Sequence, residues 1–166
     1  WTGFIWGTFV IAVIGFQFVT YLTKDVALYT DILAREDTNR SMVFYDTIAR
    51  DYLPRIPVDQ QLEVFRDVKM YFPRTSKWVV RGYWNSNYQT IEKIRPDIII
   101  LWPQRIADYT HPGVQEQAID PASFQDTYQF YIDVDNNRLR GYKLVYRDES
   151  GLMFVSDPLY EQYFGK

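Results

Sequence analysis

The sequence predicts an α/β protein: one N-terminal transmembrane helix, then a small three-layer, Rossmann-like domain with a mixed sheet and a C-terminal hairpin. Three observations predict it. Trp1–Thr23 contains no charged residue, Trp78–Trp102 reads as strand, helix and strand, and Gly141–Asp157 reads as two strands about a tight turn. At 166 residues the chain suffices for one hydrophobic core but not for two large ones.

The first segment, WTGFIWGTFVIAVIGFQFVTYLT, is long enough to cross a hydrocarbon layer of about 30 Å as a helix rising about 1.5 Å per residue. Eleven of its residues are Leu, Ile, Val or Phe. Near the membrane centre each of these favours insertion by roughly 0.3–0.6 kcal/mol. Trp1, Trp6 and Tyr21 stand towards the ends, where aromatic belts form, and Lys24 closes the span. A signal peptide would have a shorter apolar region, a basic stretch before it and a small-x-small site after it. A buried core helix is the other bland reading. Gly3, Gly7 and Gly15 share one helical face with Ile11, which would let a neighbouring membrane helix approach closely. The expected partners are accordingly the lipid bilayer and other integral membrane proteins. The charge balance is mildly acidic and no basic stripe is present, which argues against nucleic acid.

Residues 24–41 read as a juxtamembrane helix fraying into a polar linker, with the extracytoplasmic domain over 42–166. SMVFYDTIA reads as the first buried strand, VDQQLEVFRDV as a short helix from Val58, Leu62 and Phe65, and VKMYF as a strand closed by Pro73. KWVVRGYW, rich in β-branched and aromatic residues, is the next strand. Ser86 and Gln89 have capping-box spacing for the helix NYQTIEKI, which Pro96 ends. DIIILW is apolar throughout, as a parallel strand covered on both faces must be. After a polar stretch, Asp120 and Pro121 open a helix through DPASFQDTYQFYI. Asp148-Glu149-Ser150-Gly151 is the hairpin turn, and LYEQYF forms a closing helix or strap.

No catalytic constellation is visible. There is no cysteine, and the single histidine, His111, sits in a turn-like Thr-His-Pro-Gly, so a transition-metal site lacks its usual ligands. Asp133, Asp135 and Asn137 resemble the start of a calcium loop, but Arg138 and Leu144 occupy the positions that require Gly and Glu. Gly-x-Ser-x-Gly and phosphate-cradling glycine loops are absent, and no cofactor or metal is expected. Ligands of open α/β sheets bind beyond the carboxyl ends of the strands. Asp46 and Asp51 follow the first predicted strand, while Arg81, Trp84, Asn85 and Asn87 end the third with Tyr83 beside them. Such a cluster suits a sugar or a phosphate, and equally a helix cap with packed rings. Asp97 begins its strand and braces a turn.

WVVRGYWNSNYQTIEKIRPDIIILW, followed by RGYKLVYRDESGLMFVSDPLYEQYF, resembles the extracytoplasmic C-terminal domain of dolichyl-phosphate-mannose protein-mannosyltransferase-like (GT-C type) membrane glycosyltransferases, the prokaryotic members above all. The run Glu92, Ile94, Pro96, Asp97 also suits periplasmic siderophore-binding proteins, because it is general strand–helix–strand grammar. The resemblance implies a last membrane helix leading into a small α/β domain on the extracytoplasmic (periplasmic or extracellular) side. The sequon Asn39-Arg40-Ser41 agrees with that side, and Lys24 hints at the opposite one. In that family the acidic catalytic residues lie in a loop after the first membrane helix, amid many spans. One span and no such loop are present here, so no catalytic residue carries over. The expected role is that of a non-catalytic single-pass subunit covering or stabilising a membrane complex. The alternatives are an accessory or C-terminal domain of a lipid-linked-sugar glycosyltransferase and a tethered small-ligand-binding module.

Overall fold

The computed structural model describes residues 40–165 other than Ser76, Trp84, Asn85 and the side chain of Ser123. The predicted membrane helix, its Gly3/Gly7/Gly15 stripe and most of the juxtamembrane segment lie outside these residues. Among the described residues no helix is long and apolar enough to cross a membrane.

The chain runs through helix α1 (residues 40–51), a 3-10 turn (Leu53–Arg55), strands β1 (Leu62–Asp67) and β2 (Trp78–Tyr83), and helix α2 (Tyr88–Ile94). It continues through β3 (Ile98–Leu101), α3 (Pro103–Thr110), α4 (Pro121–Asp135), β4 (Tyr142–Arg147), β5 (Leu152–Ser156) and α5 (Asp157–Tyr163). The strands form one mixed sheet in the order β2-β1-β3-β5-β4, with β1 parallel to both β2 and β3 and β5 antiparallel to β3 and β4.

β3 is the central strand that its unbroken apolar sequence predicts, and all four of its residues are fully buried. Ile98 and Ile100 face a core closed by Phe44 and Ile48 of α1, Met70, Phe72 and Leu159. Ile99 and Leu101 face a second core closed by α2, α3 and α4 through Ile91, Ile106, Phe130 and Tyr131. The link from β1 to β2 crosses the first face, where Met70 and Phe72 pack, and the link from β2 to β3 crosses the second through α2. The two links step in opposite directions on opposite faces, so they share one hand, as parallel crossovers require.

Local chemistry fixes the ends of these elements. Asn87 Oδ1 accepts the Thr90 N–H at 2.7 Å and caps α2; the cap is therefore Asn87, one residue beyond the predicted Ser86. Arg95, with φ 52°, closes that helix before Pro96. Asp97 Oδ2 accepts the Glu63 N–H and its carbonyl accepts the Ser156 N–H, bracing the amino end of β3 between both neighbouring strands. In the hairpin, Asp148 Oδ1 accepts the N–H groups of Ser150 and Gly151. A Cβ on Gly151 would lie 2.5 Å from Met70 Cε and 2.7 Å from the Phe44 ring, so only glycine lets the hairpin approach α1 this closely.

Three predicted elements differ. Ser41–Ala49, expected as a strand, is helical, because Phe44 and Ile48 stand four apart and bury one stripe against the sheet. Leu62–Asp67, expected within a helix, is β1: Leu62 and Val64 alternate onto one face and Phe65 faces the other. With that strand placed earlier, VKMYF becomes a turn and a loop rather than a strand, held by Arg66 Nη1, which donates to the carbonyls of Asp67, Val68 and Met70. α3 is an additional helix, opened by Pro103 at a position where the missing N–H costs nothing.

Candidate functional site

The carboxyl ends of the three parallel strands converge where chain connections depart to opposite faces, the usual place for a crevice in such sheets. β1 ends there on Asp67, directly across from Tyr83 of β2. Asp67 is 1% exposed, and its Oδ2 accepts no hydrogen bond among the described residues. Its Oδ1 accepts the Lys69 N–H at 3.0 Å, and Arg105, on the first turn of α3, brings Nε to 3.5 Å from Oδ2. Burial pushes the carboxyl above its ordinary range, against the Lys69 amide, Arg105 and Arg66, which pull it down.

Aromatic rings wall this carboxyl. Tyr83 stacks on Phe65 at 4.5 Å, and Tyr109 stacks on Tyr131 at 4.6 Å with planes 6° apart. The Tyr131 hydroxyl accepts the Ser86 N–H at 3.4 Å, and burial pushes its pKa up to about 12; the Tyr109 hydroxyl is raised by burial too. Both phenols are therefore neutral neighbours. Chemically the cluster is a desolvated carboxyl with a raised pKa, held by a guanidinium and roofed by rings. In the loop that follows β1, the N–H of Tyr71 is accepted by buried Ser41 Oγ of α1.

Among the described residues, Asp46, Asp51 and Arg81, singled out from the sequence, do not gather here. Asp46 and Asp51 are exposed on α1, because the segment preceding them is helix and not strand; Asp51 is paired with Arg50 at 2.8 Å. Arg81 projects from mid-β2 and pairs with Glu63, so it is engaged before the strand end is reached. Asn87 caps α2. Trp84 and Asn85 lie outside the described residues. His111 ends α3 in an exposed position. Asp133 accepts hydrogen bonds from Tyr88 and Gln129 and Asp135 pairs with Arg147, so this stretch ties helix to strand. Among the described residues no three His, Cys, Asp or Glu side chains gather to hold a metal.

Sequence reasoning missed Asp67 and Arg105, because β1 read as helix and α3 as loop. One signal for Asp67 was present: a charged residue closes the Leu62, Val64, Phe65 run just before the Val68-Lys69 turn, as a strand-end carboxylate does. No protein-family model, curated protein or solved structure matches this chain.

Proposed function

We propose that this chain is a non-catalytic, membrane-tethered subunit whose extracytoplasmic, Rossmann-like three-layer domain covers or stabilises a larger membrane protein complex. The observation that carries the reading is the uncharged stretch Trp1–Thr23, which precedes an α/β domain in the sequence. Two further observations support it. The charged groups at the end of β1 engage one another, Asp67 pairing with Arg105 and accepting the Lys69 N–H, and Asn87 caps its own helix. The Gly3, Gly7 and Gly15 stripe suits close packing with another membrane helix.

A second reading, an accessory or C-terminal domain of a lipid-linked-sugar glycosyltransferase, is favoured by element order. Helix α2, Pro96-Asp97, strand β3 and a closing β4–β5 hairpin succeed one another as the family resemblance implies.

Purification of the native protein in mild detergent, with mass spectrometry of what co-migrates, tests both. A stoichiometric set of membrane proteins is the expected result, and glycosyltransferase spans among them would select the second reading. A lone monomer, or extraction by alkaline carbonate without detergent, overturns the proposal.

A further inference from the structure

α3 and α4 pack together on the second face, and the connection between them, residues 111–120, leaves two adjoining hollows of about 400 and 370 Å³. Val114 and Gln117 line both, so the hollows form one bent groove. Each hollow is within the size range of small-molecule sites and is large enough for a single ring.

Three features of the groove narrow what it takes. Phe124 forms one wall, and its ring stacks on Tyr109 at 5.7 Å, which in turn stacks on buried Tyr131. The wall is thus the outer end of a stack rooted in the core, a rigid apolar platform. Polar chemistry comes from amides, carboxylates, a hydroxyl and an imidazole: Gln117, Asp120 and Thr127 in one hollow, Gln104, Asp108 and His111 in the other, with Gln104 Nε2 donating to Asp108 Oδ1 at 3.0 Å. These offer donors and acceptors side by side. Neither hollow is lined by Lys or Arg, while both contain an aspartate, which disfavours a phosphate or a carboxylate ligand.

We propose that the α3–α4 groove is a binding site for a neutral polyhydroxylated ring of hexopyranose type, with its C–H face on Phe124 and its hydroxyl edge on Gln117 and the neighbouring polar side chains. A pyranose is amphipathic in the way the groove is: one face is apolar and the rim both donates and accepts. The site stands apart from the Asp67 cluster and from the membrane role.

The test is saturation-transfer NMR on the full chain in lauryldimethylamine-oxide micelles, whose head group carries no sugar. The probes are methyl α-D-mannopyranoside and methyl β-D-glucopyranoside at up to about 50 mM, above the millimolar range of a single-ring ligand. Transfer to the C–H protons of one ring face is expected, with binding about tenfold weaker in Phe124→Leu and in Gln117→Ala. Gln117 is exposed, so its variant decides the matter if Phe124→Leu fails to fold. Absence of transfer to both glycosides, or transfer undiminished in Gln117→Ala, overturns the proposal. So does stronger transfer to 1,3-diaminopropane, which would make Asp108 and Asp120 the recognition groups of a cation site. Because the isolated chain is used, failure here leaves the membrane-complex reading intact, and failure of that reading leaves this site intact.

Discussion

Asp67 and Arg105 face each other across 3.5 Å at the carboxyl end of β1, and the aspartate is the more deeply buried of the two, at 1% exposure against 17% for the arginine side chain. Desolvation of Asp67 outweighs its partners, so its native pKa lies above its ordinary value. A carboxyl of this kind binds more protons folded than unfolded across the interval between its two pKa values. Its contribution to stability is therefore complete below about 3.9 and is lost as pH rises through the raised native value. Asp67→Asn keeps the Oδ1 acceptor for the Lys69 N–H without the buried charge. Thermal unfolding in micelles is expected to place it at or up to about 1 kcal/mol above the wild type at neutral pH, with a flatter acid-side profile.

Removal of the other partner acts in the opposite direction. Arg105→Ala leaves a buried carboxylate without its cation and is expected to cost about 3 kcal/mol. The double variant Asp67→Asn/Arg105→Ala should recover most of that loss. A double-mutant cycle by denaturant unfolding checks this, and strict additivity would show that the two groups do not interact.

Gly151→Ala forces a Cβ against Met70 Cε and the Phe44 ring. A loss of about 2 kcal/mol is expected, of the size typical for an overpacked core. Phe44→Leu in the same chain should relieve part of it, so the combined loss should be smaller than the sum of the two single losses. The measurement is the denaturation midpoint of all three variants.

Ile99 and Ile100 point into different cores, yet both are fully buried. Ile99→Ala and Ile100→Ala should each cost about 3–4 kcal/mol, whereas Ile119→Ala, at a fully exposed position, should stay within about 0.5 kcal/mol of the wild type. A large difference between Ile99 and Ile100 would mean that one face of the sheet is open.

For α2, Asn87→Ala is expected to cost about 1 kcal/mol and Asn87→Ser clearly less, because either side-chain oxygen can accept the Thr90 N–H. An unchanged midpoint of thermal unfolding in Asn87→Ala would show that the cap is not Asn87.

The elements that could be read from the sequence carry their signals locally. β3 is a run of Ile98, Ile99, Ile100 and Leu101 that only a strand covered on both sides can use, and Pro96 stops the preceding helix by steric exclusion alone. The β4–β5 turn rests on Asp148 and Gly151, two residues that hydrogen-bond within four positions. By contrast, Phe44, Tyr45 and Ile48 are as suited to a strand as to a helix, and Leu62, Val64 and Phe65 match both periodicities over so short a window.

The sequence by itself determined the α/β class, the order from β2 to β3, the closing hairpin and the uncharged stretch Trp1–Thr23, because each depends on neighbours in the chain. Only the tertiary structure decided that 40–51 is helix and 62–67 is strand, since what settles them is the surface they bury against Met70, Ile98 and Ile100. It also decided that Asp67 meets Arg105, thirty-eight positions apart, and that Phe124 walls a groove with Gln117. Side chains that distant come together through strand pairing and helix packing, which spacing along a single chain does not encode.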